Sequence, residues 1–81
     1  MNISKGNLME EITPNRRLEA IRALAKKDKK TFVKELGVKY FTYNEVIQER
    51  KPLPAEWVNT LYTKYNVHPN WIILGKGDIF C

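Results

Sequence analysis

Apolar positions between Lys29 and Gln48 fall into two short stripes on either side of a glycine. Phe32, Val33 and Leu36 stand at i, i+1 and i+4, and Tyr43 and Val46 at i and i+3. Both spacings put side chains on one face of an α-helix. Gly37 separates the stripes, and a glycine just past a helix end takes the left-handed conformation without a Cβ penalty. The pattern predicts helix 2 over about 29–36 and helix 3 over about 39–48, with Val38 plugging the gap between them. A bent pair of this kind leaves one face of the second helix free, and a free helix face can enter a DNA major groove.

The flanking segments carry their own signals. Thr13 is a good N-cap and Pro14 suits the first helical position, so helix 1 starts there. Leu18, Ile21, Leu24 and Ala25 give its inward stripe. The KKDKK stretch over 26–30 ends it, and Asp28 is placed to cap helix 2. Pro52 and Pro54 make 50–54 an extended connector. Helix 4 is expected over 54–65, with Trp57, Val58, Leu61, Tyr62 and Tyr65 on one side and Asn66 as its stop. Helix 5 runs from Pro69 to Leu74 and ends at Gly75, after which Asp78, Ile79 and Phe80 lead out of the domain. Both tryptophans fall on helix stripes, which favours core anchors over base-stacking platforms. The reading is an all-α, five-helix domain over 13–80. Residues 1–12, with Ile3, Leu8, Met9 and Ile12, are expected to form a partly disordered N-terminal arm.

These motifs carry a resemblance. KKTFVKELGVKYFTYNEVIQ resembles the helix-turn-helix of the lambda-repressor-like family, which has apolar residues at the positions of Phe32, Leu36, Val38, Tyr43 and Val46 and glycine at Gly37. The tail LPAEWVNTLYTKYNVHPNWIILGKGDIF is similar to phage CI-type repressors. There Pro-Ala-Glu-Trp, here Pro54 to Trp57, opens a fourth helix, and a Trp-Leu-Leu-x-Gly-x-Gly segment, here Trp71, Ile72, Ile73, Leu74, Gly75, Lys76 and Gly77, closes the domain. The resemblance covers about residues 14–80. It implies a lambda-repressor-like bundle and a bacterial or phage transcriptional regulator, cytoplasmic, binding double-stranded DNA as a homodimer. The candidate dimer surfaces are helix 5 with the Ile79–Phe80 exit, or the N-terminal arm. The chain departs from the family's pattern in three places. Tyr40 and Phe41 stand where small polar residues are usual, Lys39 where a Ser or Thr caps helix 3, and Val33 where an alanine allows close approach of the two helices.

Charge gives the motif a direction. The net charge is +5. Residues 14–39 hold nine basic side chains against Glu19, Asp28 and Glu35, a net +6, while residues 40–81 are neutral. In the implied fold this basic segment lies against the phosphate backbone. Lys26, Lys27, Lys29, Lys30 and Lys39 are the expected phosphate contacts, with Arg50 and Lys51 on the far strand; Lys29 occupies a place where many family members dock a glutamine. On helix 3 the outward positions by spacing are Tyr40, Phe41, Asn44, Glu45 and Gln48. Asn44 and Gln48 can each pair bidentately with adenine, Glu45 can accept from cytosine N4, and Tyr40 and Phe41 can contact thymine methyl groups. Two outward aromatics also suit a protein-interaction surface on the same fold, the alternative reading.

Other chemistries find little to work with. Cys81 is the sole cysteine, so no disulfide framework forms. His68 and Cys81 cannot supply the four ligands of a structural zinc site. His68 precedes Pro69, where a helix-capping role is expected rather than catalysis. Gly75-Lys76-Gly77 lacks the rest of a phosphate loop and reads as a helix exit. The longest apolar run, Trp71 to Leu74, falls far short of a membrane span of about 20 residues. No enzyme activity, cofactor, metal, membrane or small-molecule ligand is expected.

Overall fold

The computed structural model describes residues 12–81, and the arm expected over residues 1–12 lies outside them except for Ile12. Five α-helices follow in order: α1 Pro14–Leu24, α2 Lys29–Leu36, α3 Tyr40–Ile47, α4 Ala55–Tyr65 and α5 Pro69–Leu74. Among the described residues the architecture is all-α, and the one extended pairing is an isolated antiparallel bridge between Val67 and Phe80.

Local chemistry sets the ends of these helices. The Thr13 side chain accepts from the Arg16 amide at 3.2 Å and caps α1. Asp28 accepts from the Thr31 amide at 2.8 Å and caps α2. At the far end of α2, Gly37 has φ +72°, its amide reaches the Lys34 and Val33 carbonyls, and the Val38 amide also returns to Val33. This double closure requires a left-handed residue, which glycine supplies. Asn66 does the same for α4 at φ +59°, with the Val67 amide returning to Leu61. In both closures the next residue is an apolar plug: Val67 is buried and Val38 packs against the core.

The core joins all five helices. Leu18 and Ile21 of α1, Phe32, Val33 and Leu36 of α2, Tyr43 and Val46 of α3, Trp57 and Leu61 of α4, and Trp71 and Ile72 of α5 are buried together. Its aromatic centre is a chain of rings. Tyr43 stacks on Trp57 at 6.2 Å between centroids, and Phe32 meets Tyr43 edge-on at 6.0 Å and Tyr65 at 5.4 Å. Both tryptophans are therefore core residues, as their spacing indicates.

Three expectations need correction. Leu24 does not belong to the inward stripe: it is 52% exposed. It lies in the last turn of α1, beyond the buried Arg17, Leu18 and Ile21. The segment 78–80 does not lead away. The His68 amide donates to the Ile79 carbonyl and the Cys81 amide to Asn66, both at 2.7 Å, so the tail folds back with Ile79 against the core. His68 does occupy the N-cap of α5, but its side chain makes no capping bond, and its Nδ1 is buried without a hydrogen-bond partner among the described residues.

Candidate nucleic-acid interface

The α2–α3 pair is held by buried polar contacts as well as by its apolar stripes. Asn15 of α1 is buried, and its Nδ2 donates to the carbonyls of Val46 and Lys51, each at 2.7 Å. That ties the end of α3, and the turn after it, to α1. Glu19 is the second hub: it accepts from the Tyr43 hydroxyl at 2.5 Å and from both Nε and Nη2 of Arg22. Arg22 in turn donates to the Lys27 carbonyl at 3.0 Å, fixing the connector before α2. Burial pushes the Glu19 carboxyl up, but the bonds from Arg22 and Tyr43, with the positive charges of Arg22 and Lys29, outweigh it and hold it below the usual range. Burial first, then the Glu19 carboxylate, pushes the Tyr43 phenol up, so it stays a donor.

Glu35 plays a matching part at the other end of α2. It accepts from the Tyr65 hydroxyl and pairs with Lys27 at 3.3 Å, and its own carbonyl accepts from Lys64 at 2.6 Å. The Tyr65 bond, more than the lysine charges, holds the Glu35 carboxyl below its ordinary value.

Tyr43 and Val46 are buried and Ile47 packs against the core, which sets the inward face of α3. At about 100° per residue, Tyr40, Asn44, Gln48, Phe41 and Glu45 fall on one arc of about 140° opposite that inward face. Phe41 is 70% exposed and Tyr40 47% exposed, and Gln48 is also exposed. Asn44 and Glu45 are half-buried. Glu45 is turned toward Arg50, which donates to it at 3.4 Å. Asn44 accepts from Lys29 Nζ at 3.2 Å, and the same ammonium lies 5.9 Å from the centroid of the Tyr40 ring. Lys39 stands at the N-cap of α3 without a side-chain capping bond, the outcome of a lysine where an acceptor is wanted.

The basic residues divide in two. Arg17 is buried and donates to the Ile72 and Ile73 carbonyls at 3.0 and 2.9 Å, closing the end of α5. Arg16 pairs with Glu49, Arg22 with Glu19, Lys27 with Glu35 and Arg50 with Glu45. Lys26, Lys30, Lys34, Lys39 and Lys51 are exposed, with no ion pair among the described residues. Lys34 stands four residues after Lys30 on the same face of α2, a position that the sequence reading passed over. Asn15, Arg17 and Glu19 were also missed as organisers, because each has a partner at least 24 residues away.

Among the described residues no three His, Cys, Asp or Glu side chains cluster as a metal site requires, and no helix is long and apolar enough to cross a membrane. Comparison of the chain with protein-family models, curated proteins and solved structures returns no match.

Proposed function

We propose that this chain is a sequence-specific double-stranded DNA-binding protein, a repressor-like bacterial or phage transcriptional regulator built on a lambda-repressor-like helix-turn-helix bundle. In this reading α3 enters the major groove. The observation that carries it is an outward α3 arc in a chain whose exposed lysines concentrate in the segment just before it. Tyr40, Phe41 and Gln48 are exposed and Asn44 half-buried, Lys29 reaches Asn44 and Tyr40, and Lys26, Lys30, Lys34 and Lys39 are exposed with no ion pair among the described residues.

The division of labour follows from the chemistry. Lysines with no ion pair among the described residues break none there when they meet phosphate, so Lys26, Lys30, Lys39 and Lys51 anchor the duplex backbone. Lys27 and Arg50 sit in partly exposed ion pairs at 3.3 and 3.4 Å. Such pairs are worth about 0–1 kcal/mol, so phosphate can displace their carboxylate partners. The Arg50 contact also offsets the charge of Glu45, the one carboxylate on the arc. Gln48 offers an amide, and Tyr40 and Phe41 offer apolar contact to thymine methyl groups. A single short helix reads few base pairs, so a specific regulator acts as a symmetric dimer on half-sites about one helical turn apart, roughly 34–36 Å.

Selection from a random duplex pool at rising salt tests the reading. The expected result is a short palindromic motif retained near physiological ionic strength. Binding that fades uniformly with salt and enriches nothing would leave only an electrostatic footprint. The 70% exposure of Phe41 favours a second reading, a protein-interaction module on the same surface. Phe41→Ala would then abolish partner capture while leaving weak DNA affinity unchanged.

A further inference from the structure

We infer that Lys29 and Asn44 together read a guanine edge, so that Lys29 sets base specificity instead of gripping phosphate. This rests on the DNA-binding reading above. Lys29 differs from its neighbour Lys30. Lys30 is exposed with no ion pair among the described residues, whereas Lys29 is half-buried and drawn toward α3. Its ammonium donates to Asn44 Oδ1 at 3.2 Å and lies over the Tyr40 ring at 5.9 Å from the centroid. Both partners lie on the outward arc of α3, so the cation is delivered to the edge of the surface that would face the bases.

The contact decides which way the Asn44 amide points. An ammonium donates and never accepts, and a flipped amide would set N–H against it. The Asn44 oxygen therefore faces Lys29, and Nδ2 points to the other side of the same carbon. With Oδ1 engaged by Lys29, what the pair offers outward is mainly N–H: the donors left on Nζ and the two on Nδ2. Guanine presents N7 and O6 in the major groove, both acceptors, while adenine presents the N7 acceptor beside the N6 donor. An asparagine free to use both heads suits adenine. Asn44 with its acceptor held back, and a second donor alongside, suits guanine.

The test measures affinity of the full chain for duplexes carrying the selected site with each base pair permuted in turn. The wild-type chain is expected to prefer guanine at one position by about 5- to 150-fold, the ratio equivalent to one good bidentate contact. Lys29→Met removes the ammonium and keeps the stem. It should move that preference toward adenine while leaving the other positions as they are. Lys29→Arg, a donor-only fork, should keep guanine. Asn44→Asp, which discards the Nδ2 donors, should lose the guanine preference, and retention of it would overturn the pairing. The inference is also overturned, with DNA binding intact, if Lys29→Met weakens every sequence alike, since that is the signature of a phosphate contact. A wild-type chain with no preference at any position would instead defeat the DNA-binding reading, and this inference with it.

Discussion

Glu19 is the residue on which the orientation of α3 turns. Its carboxylate joins Arg22 of its own helix to the Tyr43 hydroxyl, and Tyr43 is the largest buried side chain of α3. The folded carboxyl is held below the ordinary range and so stays ionised to lower pH than in the unfolded chain. A group with a depressed folded pKa stabilises fully above its unfolded pKa, and that contribution disappears as pH falls through the folded value. Glu19→Gln should therefore lower Tm at neutral pH, and the gap to the wild-type chain should start to narrow below the unfolded glutamate value of about 4.3 and close only as pH falls through the lower folded value. Thermal unfolding across pH checks this, and a gap independent of pH would mean that charge plays no part. Glu19 offers no sequence signal of this role, because its partner Tyr43 lies 24 residues away and is apolar by pattern.

The elements divide by how local their determinants are. Thr13, Asp28, Gly37, Asn66 and Gly75 end or begin helices through contacts within a few residues, and each was legible as a cap or stop. Asn15 and Arg17 were not, since they satisfy backbone carbonyls 31 and 55 residues away. A polar residue at such a position looks like surface until the chain is folded. The Val67–Phe80 bridge is another long-range closure that no periodicity announces. The cap on α2 matters most for the candidate interface, because Lys29 and Lys30 are its first two residues. Asp28→Ala should cost about 0.5–2 kcal/mol. In a domain of this size that is a fall in Tm of roughly 4–8 °C per kcal/mol, readable by circular dichroism. An unchanged Tm would mean that the Thr31 amide finds another acceptor.

At the scale of the whole molecule, the fold sorts the basic segment 14–39 by use. Arg17 and Arg22 serve the interior, Lys27 balances Glu35, and Lys26, Lys30, Lys34 and Lys39 keep their charge outward. The segment's net +6 thus overstates the number of cations outside ion pairs. Counterion release turns this into a measurable contrast. Lys30→Ala should weaken binding on every duplex and reduce the slope of log affinity against log salt by about one. Lys76→Ala, beyond α5, should leave the slope alone. Equal slopes for the two variants would mean that the positive face is solubilising surface only.

The central claim, that the outward arc of α3 meets duplex DNA, is tested most directly by amide NMR of the full chain titrated with a short duplex at low salt. The expected shifts cluster over residues 26–30 and 39–48, with α4 and α5 unmoved apart from any dimer contact on the duplex. Shifts confined to the exposed Tyr62, Ile73 and Leu74 of α4 and α5, or no shifts at all, would contradict it.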